Sequence, residues 1–234
     1  MALDEALMYL HGLGYSPPTL RLYMFKPSTI TLGYFQSVSD NVSEECLSKV
    51  PVVRRISGGG AVLHDEFGEI TYSIVLRESQ DLRNPLHSFK ILTEGVVRAA
   101  RFLGAPAEFA PLNDGIIAGK KFSGQAQARK LGVILQHGTF MYATRVELLA
   151  KCLKAPTEKF VGKGTTSILD RVTTISAYLG REVTRDEAVN SLIKGFSEAL
   201  KLDLYEGTYS EAELTLAKSI EWKYRSVEWT YLRP

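Results

Sequence analysis

Between positions 54 and 65 the chain reads Arg54-Arg55-Ile56-Ser57-Gly58-Gly59-Gly60-Ala61-Val62-Leu63-His64-Asp65, two arginines running into three glycines and then a histidine. Three consecutive glycines forgo side-chain packing and lose much entropy on ordering, a cost expected where backbone turns sharply or touches a ligand. Exposed amides beside guanidinium groups suit an anion such as a phosphate. A plain glycine turn with surface arginines is the competing reading, and the arginine pair and His64-Asp65 weigh against it. Two familiar phosphate motifs are excluded. Gly58 to Leu63 does not read GxGxxG, and Gly115 to Lys121 is one residue short of a P-loop and ends in lysine.

Asn113-Asp114-Gly115-Ile116-Ile117-Ala118-Gly119-Lys120-Lys121-Phe122-Ser123-Gly124 reads as a turn, a short apolar strand, a tight glycine turn and a lysine entering a new strand. This is a β-hairpin presenting Lys121, and the small Ser123 and Gly124 beside it indicate that something packs closely there. A solvated hairpin turn at Gly119-Lys120 is the plainer alternative. In Leu135-Gln136-His137-Gly138-Thr139-Phe140 a histidine and a glycine interrupt an apolar run. For His137 alone, a hydrogen-bonded histidine beside a bulge is the simpler reading.

The elements that must position these residues are legible in part. Ala2, Leu3, Ala6, Leu7 and Leu10 recur at helical spacing until Gly12 and Gly14. Leu20 to Met24 and Ile30 to Leu32 predict two short strands, Ser43 with Glu44 and Glu45 opens a second helix, and Val52-Val53 resumes strand character. Glu69 to Val75 alternates as a strand with two unlike faces. Asn84 as cap, Pro85 at the first helical position and Gly104 past the end bracket a long helix with an apolar stripe of Phe89, Leu92, Val96, Ala99 and Leu103. Gly115 to Ala118, Phe122 to Ala128 and Val133 to Tyr142 predict three more strands. Capping boxes at Thr144/Glu147, Thr184/Glu187 and Ser210/Glu213 predict a helical C-terminal portion from about residue 144. Strands cluster around one helix instead of alternating with helices, so the expected class is α+β, a mixed, largely antiparallel sheet flanked by helices.

The 234 residues, 45% hydrophobic, fit one catalytic domain over 1–234. Twenty-eight basic against 26 acidic residues, net +2, argue against a protein that grips nucleic acid. No apolar run approaches a membrane span and no signal peptide opens the chain. Cys46 and Cys152 share no metal-binding spacing, cannot build a disulfide framework and favour a reducing, cytoplasmic setting. Both fall in predicted helices beside leucines, where a buried inert thiol is expected.

Taken in order, Ala2-Leu3-Asp4-Glu5-Ala6-Leu7, Gly33-Tyr34-Phe35-Gln36, the Arg54 to Asp65 run with Gly68 to Ser73, Asn113-Asp114, Gly119 to Gly124 and Gln136 to Thr139 resemble the lipoate-protein ligase A family within the biotin and lipoate ligase superfamily. The resemblance spans nearly the whole chain, and the Arg54 to Asp65 run is its most specific part. It implies the catalytic-domain fold of that superfamily and a reaction that joins lipoate to ATP, with Mg2+, as lipoyl-AMP. The lipoyl group then passes to a lysine of a carrier domain, such as that of a 2-oxoacid dehydrogenase acyltransferase or a glycine-cleavage protein. Carried onto this chain, Lys121 is the catalytic lysine at the carboxylate and phosphate of the adenylate. Arg55, Ser57, Gly58, Gly59, Gly60, His64, Asn113, Asp114, Gly124, His137 and Gly138 join it in binding ATP and lipoyl-AMP, with Asp114 as the magnesium ligand. The family's small C-terminal domain has no counterpart here, so a separate accessory subunit is expected to replace it. Two relatives of that superfamily are weaker matches. Cysteine-type octanoyltransferases hold their acyl-accepting cysteine just upstream of the Lys121 motif, where this chain has Pro111 and Leu112, and the Gly-Arg-Gly-Arg-type loop of biotin ligases is absent. A non-catalytic lipoyl-binding relative is the remaining alternative.

Overall fold

The computed structural model describes residues 1–154 and 167–233. The first helix, α1, runs Ala2–Leu13 and closes at Gly14, whose φ of 85° supplies the left-handed cap. Next come β1 (Thr19–Tyr23), β2 (Thr29–Leu32), two single-turn helices α2 (Val38–Asn41) and α3 (Glu44–Leu47), then β3 (Val52–Arg54), β4 (Val62–His64) and β5 (Glu69–Arg77). The long helix α4 spans Pro85–Phe102, capped by the Asn84 side chain, which accepts from the His87 amide. Four strands follow, β6 (Ala107–Ala110), β7 (Asp114–Ile117), β8 (Lys120–Lys130) and β9 (Val133–Met141). Beyond them the described α-helices are α5 (Val146–Cys152), α6 (Ile175–Leu179), α7 (Arg185–Leu200), α8 (Glu211–Arg225) and α9 (Val227–Thr230).

Six strands form one sheet in the order β1-β5-β9-β8-β7-β6 with every neighbouring pair antiparallel. Three form a smaller sheet, β3-β2-β4, in which β2 and β3 are parallel. The expected α+β class with a largely antiparallel sheet is the observed one. The two early strands are both present yet belong to different sheets. The first, β1, pairs with β5 and the second, β2, with β3 and β4, since pairing is decided by distant partners that local patterning does not name.

One face of the large sheet carries the main core, where Ile70, Tyr72, Ile74, Phe122 and Phe140 meet Leu92 and Val96 of α4 and Leu192 and Phe196 of α7. On the opposite face Leu7 and Met8 of α1 pack on Val75, Val133 and Leu135. Glu69 to Val75 is therefore buried throughout, although its polar residues were expected to alternate with apolar ones on an unlike face. The faces do differ, but the polar one, with Thr71 and Ser73, is covered by protein instead of water.

The capping boxes at Thr184 and Ser210 form as expected. That at Thr144 does not. The Thr144 hydroxyl donates to the Gly68 carbonyl at 3.0 Å, and the Arg145 amide opening α5 is satisfied by Asp65 Oδ2 at 2.9 Å. No bulge interrupts His137-Gly138 either, for β9 keeps continuous register against β5 and β8. The cysteine reading also needs correction. Cys46 of α3 and Cys152 of α5 are not separate inert thiols but a disulfide, with Cα atoms 5.3 Å apart across 106 residues of sequence. The reducing-compartment argument built on them falls with it. Among the described residues no helix is long and apolar enough to cross a membrane.

Candidate active site

The glycine loop between β3 and β4 folds against the turn after β2. The Tyr34 amide donates to the Ser57 carbonyl at 2.8 Å, and a β-carbon on Gly33 would lie 2.0 Å from the Gly59 oxygen, so only glycine at 33 lets the segments touch. Gly59 takes φ 91°, in the left-handed region. Among the described residues the amides of Gly58, Gly59 and Gly60 donate to no other group, leaving three adjacent donors on a surface loop. That is a cradle for an anion.

The arginines are not the anion ligands that their place beside the glycines suggested. Arg54, 0% exposed, bonds the carbonyls of Gly33, Tyr34, Gln36 and Thr230, tying the loop to α9. Arg55 directs Nη2 to the carbonyls of Gly58 and Gly60 at 2.8 and 2.7 Å, Nη1 to the Thr31 carbonyl and hydroxyl, and Nε to Ser57 Oγ at 3.1 Å. All five donors of its guanidinium are thus engaged. Arg55 shapes the loop and turns its amides outward, and burial lowers its pKa to about 10, so it stays cationic at neutral pH.

Ser57 and His137 do meet, and a third residue lies behind them. Ser57 Oγ is 2.6 Å from His137 Nε2, while His137 Nδ1 is 3.3 Å from Asp4 Oδ2. Asp4 also accepts from Arg21 at 2.5 Å and from the Tyr23 hydroxyl at 3.3 Å. Burial opposes its ionisation, but the His137 hydrogen bond and the charges of the N-terminal amine and Arg21 prevail and hold the carboxyl below the usual carboxylate range. Burial pushes His137 down in spite of Asp4 and keeps it neutral. The ends of this chain fix its direction. Arg55 can only donate and the Asp4 carboxylate only accept, so Nδ1 carries the imidazole proton and the Ser57 hydroxyl donates to Nε2. Asp4 was recognised only as part of a motif, since an acidic residue in the first turn of a helix is ordinary.

His64 is held apart from this chain, with Nδ1 2.7 Å from Glu69 Oε1, Nε2 3.0 Å from Thr31 Oγ1 and the Phe25 ring stacked on it. Thr31 links the two groups, because its hydroxyl also receives Arg55.

The β7–β8 hairpin presents Lys121 as expected. Lys121 Nζ lies 2.6 Å from Asp114 Oδ1, with the two side chains 39% and 32% exposed. The group packed against Gly124 is Lys121 itself, since a β-carbon there would sit 2.5 Å from Nζ. Asn113 supports the hairpin through backbone, its side chain bonding the Gln125 carbonyl while its own carbonyl accepts from the Gln125 amide at 3.0 Å. Lys121 is fixed on its other edge by Arg171 and Thr173, whose carbonyl and amide bond its backbone at 2.8 and 2.9 Å.

The two clusters share a face of the sheet. Gly59 lies over Ala126, which pairs with His137 and follows Gly124 by two residues, about 7 Å along β8. Gly138 is on the other side, where a β-carbon would strike Tyr72 of the core, so it is a packing glycine and not part of this surface. The face thus combines a cationic lysine, an array of free amides and a polarised hydroxyl.

The model of the family described as lipoyl protein ligase A/B catalytic domain matches residues 1–197. The chain belongs to that family. Within the lipoyl protein ligase A/B family, the octanoyltransferase LipM of Oceanobacillus iheyensis is 36% identical over 233 residues, covering 91% of this chain and 85% of the relative. A bi-partite lipoate protein ligase from Thermoplasma acidophilum, described with its E2 lipoyl domain, superposes with a TM-score of 0.84 at 34% identity, over 98% of this chain and 89% of that one. A lipoate-protein ligase A bound with ATP does so at 0.84 and 31% identity, over 98% and 92%. The chain is therefore an enzyme of the lipoyl protein ligase A/B family. Its similar proteins divide between two reactions.

Proposed function

We propose that this chain is a lipoate-protein ligase catalytic subunit, activating the carboxylate of lipoate with ATP and passing the acyl group to a lysine of a carrier domain. One observation supports ligation over thioester transfer. The chain has two cysteines, they are joined to each other, and by the family resemblance Pro111 and Leu112 fall roughly where the cysteine-type octanoyltransferases hold their nucleophile. Without a thiol, acyl activation falls to a phosphoanhydride, and adenylation asks a protein for charge neutralisation and alignment more than for a nucleophile.

The residues fit an ATP phosphate chain at the free amides of Gly58 to Gly60, with Lys121 stabilising the oxygens where carboxylate and α-phosphate meet. Among the described residues no cluster of three ligating side chains exists. Magnesium commonly takes only one or two carboxylates beside phosphate and water. Asp114 is the carboxylate on hand, and it would have to leave Lys121 to serve.

The ATP-bound and bi-partite neighbours support this reading, the latter including a lipoyl domain as acceptor and a ligase of two parts, in keeping with a companion to the single domain proposed for 1–234. An ATP-using reaction on carrier domains belongs in the cytoplasm, a setting in which the Cys46–Cys152 disulfide is unusual. A second reading, octanoyl transfer without ATP, is favoured by the names of the curated relatives, LipM of Kyrpidia tusciae at 35% identity among them.

Pyrophosphate-ATP exchange with lipoate, octanoate or biotin, with and without a companion subunit, separates the two. Exchange that requires lipoate and falls about 100-fold or more in Lys121→Ala is the expected result. Silence under every condition, with transfer from an octanoyl carrier, establishes the second reading instead.

A further inference from the structure

Strand β8 leaves half of one edge open. On that edge β7 pairs only with Lys120 to Gly124, while β9 covers the other edge from Gln125 to Lys130. Gln125 shows which way the backbone groups turn, because its amide donates to the Asn113 carbonyl at 3.0 Å and its carbonyl accepts from the Asn113 side chain. Both groups point away from β9, and the two-residue period of a strand turns the N–H and C=O of Gln127 and Arg129 the same way. Among the described residues these groups meet no partner. An unpaired edge is a template for another chain, and proteins ordinarily shorten, bulge or cover one. Two clefts flank the edge, one on each face of the sheet. On the face that carries the glycine loop, about 510 Å³ is lined by Gln127 to Lys130 together with Gly58, Tyr34 and Lys223. On the other face Ser88 of α4 bonds the Gln127 side chain at 3.1 Å, and about 460 Å³ is lined by Leu86 and Lys90 of α4 with Phe109 and Leu112. A strand laid on the edge sends alternate side chains to opposite faces, one set into each cleft.

The place of the edge points to its occupant. It continues the line of β7, whose Asp114 pairs with Gly124 and holds Lys121. A residue of an added strand opposite Ala126 stands about 4.8 Å from it, and Ala126 is the residue that Gly59 covers. A lysine in that position extends its amine along the face shared by the free glycine amides and Lys121, where the activated acyl group of the proposed reaction lies. The two clefts carry Lys90, Arg129, Lys130 and Lys223 against one carboxylate, Glu5, so the complementary segment is acidic. We propose that the open edge of β8 at Gln127 and Arg129 is the docking site of the carrier domain, whose lysine-bearing segment pairs there as an added strand with acidic residues beside the lysine. The proposal rests on a carrier lysine as acyl acceptor, which the ligase and transfer readings share. Backbone pairing holds the carrier in register, and the clefts select its side chains.

The test measures acyl transfer to an apo lipoyl domain of a 2-oxoacid dehydrogenase acyltransferase, from lipoate and ATP or from an octanoyl carrier, and compares Gln127→Pro with Gln127→Ala. Both variants lose the same side-chain bonds, to Ser88 and Gln136. Only proline also removes the outward N–H, at a position where an edge tolerates it. KM for the lipoyl domain is expected to be about tenfold higher in Gln127→Pro than in Gln127→Ala, with kcat within about twofold. Equal KM values in the two variants overturn the proposal. A second measurement needs no variant and decides the matter should Gln127→Pro fail to fold. In the wild-type chain, amide hydrogen exchange at Gln127 and Arg129 is expected to be fast when free and to slow at least tenfold when the lipoyl domain is bound without an acyl donor. Unchanged exchange at both amides, in a chain that does transfer to that domain, sinks the docking site and leaves the acceptor reading standing. No transfer by the wild type from either donor overturns both.

Discussion

Arg54 and Arg55 are 0% and 4% exposed with their hydrogen bonds directed into the protein, whereas Lys121 is 39% exposed and holds one side-chain partner, Asp114. All three are cations beside glycines, and by sequence all three look like anion ligands. The difference between them is energetic. A guanidinium bonded to buried carbonyls is part of the fold, because removing it leaves those carbonyls with neither water nor a partner. An ammonium in one half-exposed ion pair contributes little to stability, since solvent screens the pair and side-chain entropy opposes it. It can therefore change partners at small cost, as a reaction requires. In this molecule the arginines build the cradle, and the lysine stands beside it with little fixing its side chain.

The comparison is broken most directly by Arg54→Ala. With carbonyls of Gly33, Tyr34, Gln36 and Thr230 abandoned, a loss of about 4 kcal/mol is expected in urea unfolding. A loss below about 1 kcal/mol would show that water replaces the guanidinium. Removing the disulfide with Cys46→Ser and Cys152→Ser together releases a 106-residue loop and costs about 3 kcal/mol. Because no step proposed here uses a thiol, the double variant keeps its activity at temperatures where it stays folded, and lost activity there would return the cysteines to the mechanism. Lys121→Ala is the counterpart of Arg54→Ala, with unfolding free energy within about 1 kcal/mol of the wild type and the exchange reaction lost.

The smallest effect sharpens the same contrast through pH. His137 is held neutral by burial, with its pKa lowered in the folded state. The unfolded chain therefore takes up a proton there as pH falls through about 6.5, while the folded chain does not. The sign follows: the His137 contribution to stability is present above that pH and declines below it, toward the lowered folded value. Asp4, Arg21, Tyr23, Arg55 and the N-terminal amine surround it, and of these Asp4 loses its own contribution only in stronger acid. His137→Gln should flatten the slope of stability between about pH 6.5 and 5, and an unchanged slope would place the titration elsewhere.

What was legible in the sequence had local causes. The Asn84 cap with Pro85, the boxes at Thr184 and Ser210 and the turn at Ala118-Gly119 each act within a few residues, and each forms. The misreadings share a different cause. The N-terminus of α5 is satisfied by Asp65, 80 positions away, instead of by Thr144. Ser57 finds His137 at a separation of 80 and His137 finds Asp4 at 133. The disulfide spans 106. Spacing rules reach one turn of helix or one hairpin, and these partners are brought together only by the sheet order. Motif resemblance named candidate residues without this geometry, and it missed what the geometry adds, namely that Arg55 serves the loop, that Gly138 serves the core and that Asp4 orients His137.

The backbone of Lys121 is fixed on both sides, by β7 on one edge and by Arg171 and Thr173 on the other. Only its side-chain torsions are left to carry Nζ from Asp114 to a substrate. Rotamer exchange of an exposed side chain takes picoseconds to nanoseconds, far faster than enzymatic turnover at roughly 1 to 1,000 per second. On the proposed ligase reading the lysine would exchange rapidly between Asp114 and the substrate anion, with Asp114 as an internal competitive ligand. Its influence would then enter the apparent affinity for that anion, not the clock of the chemical step.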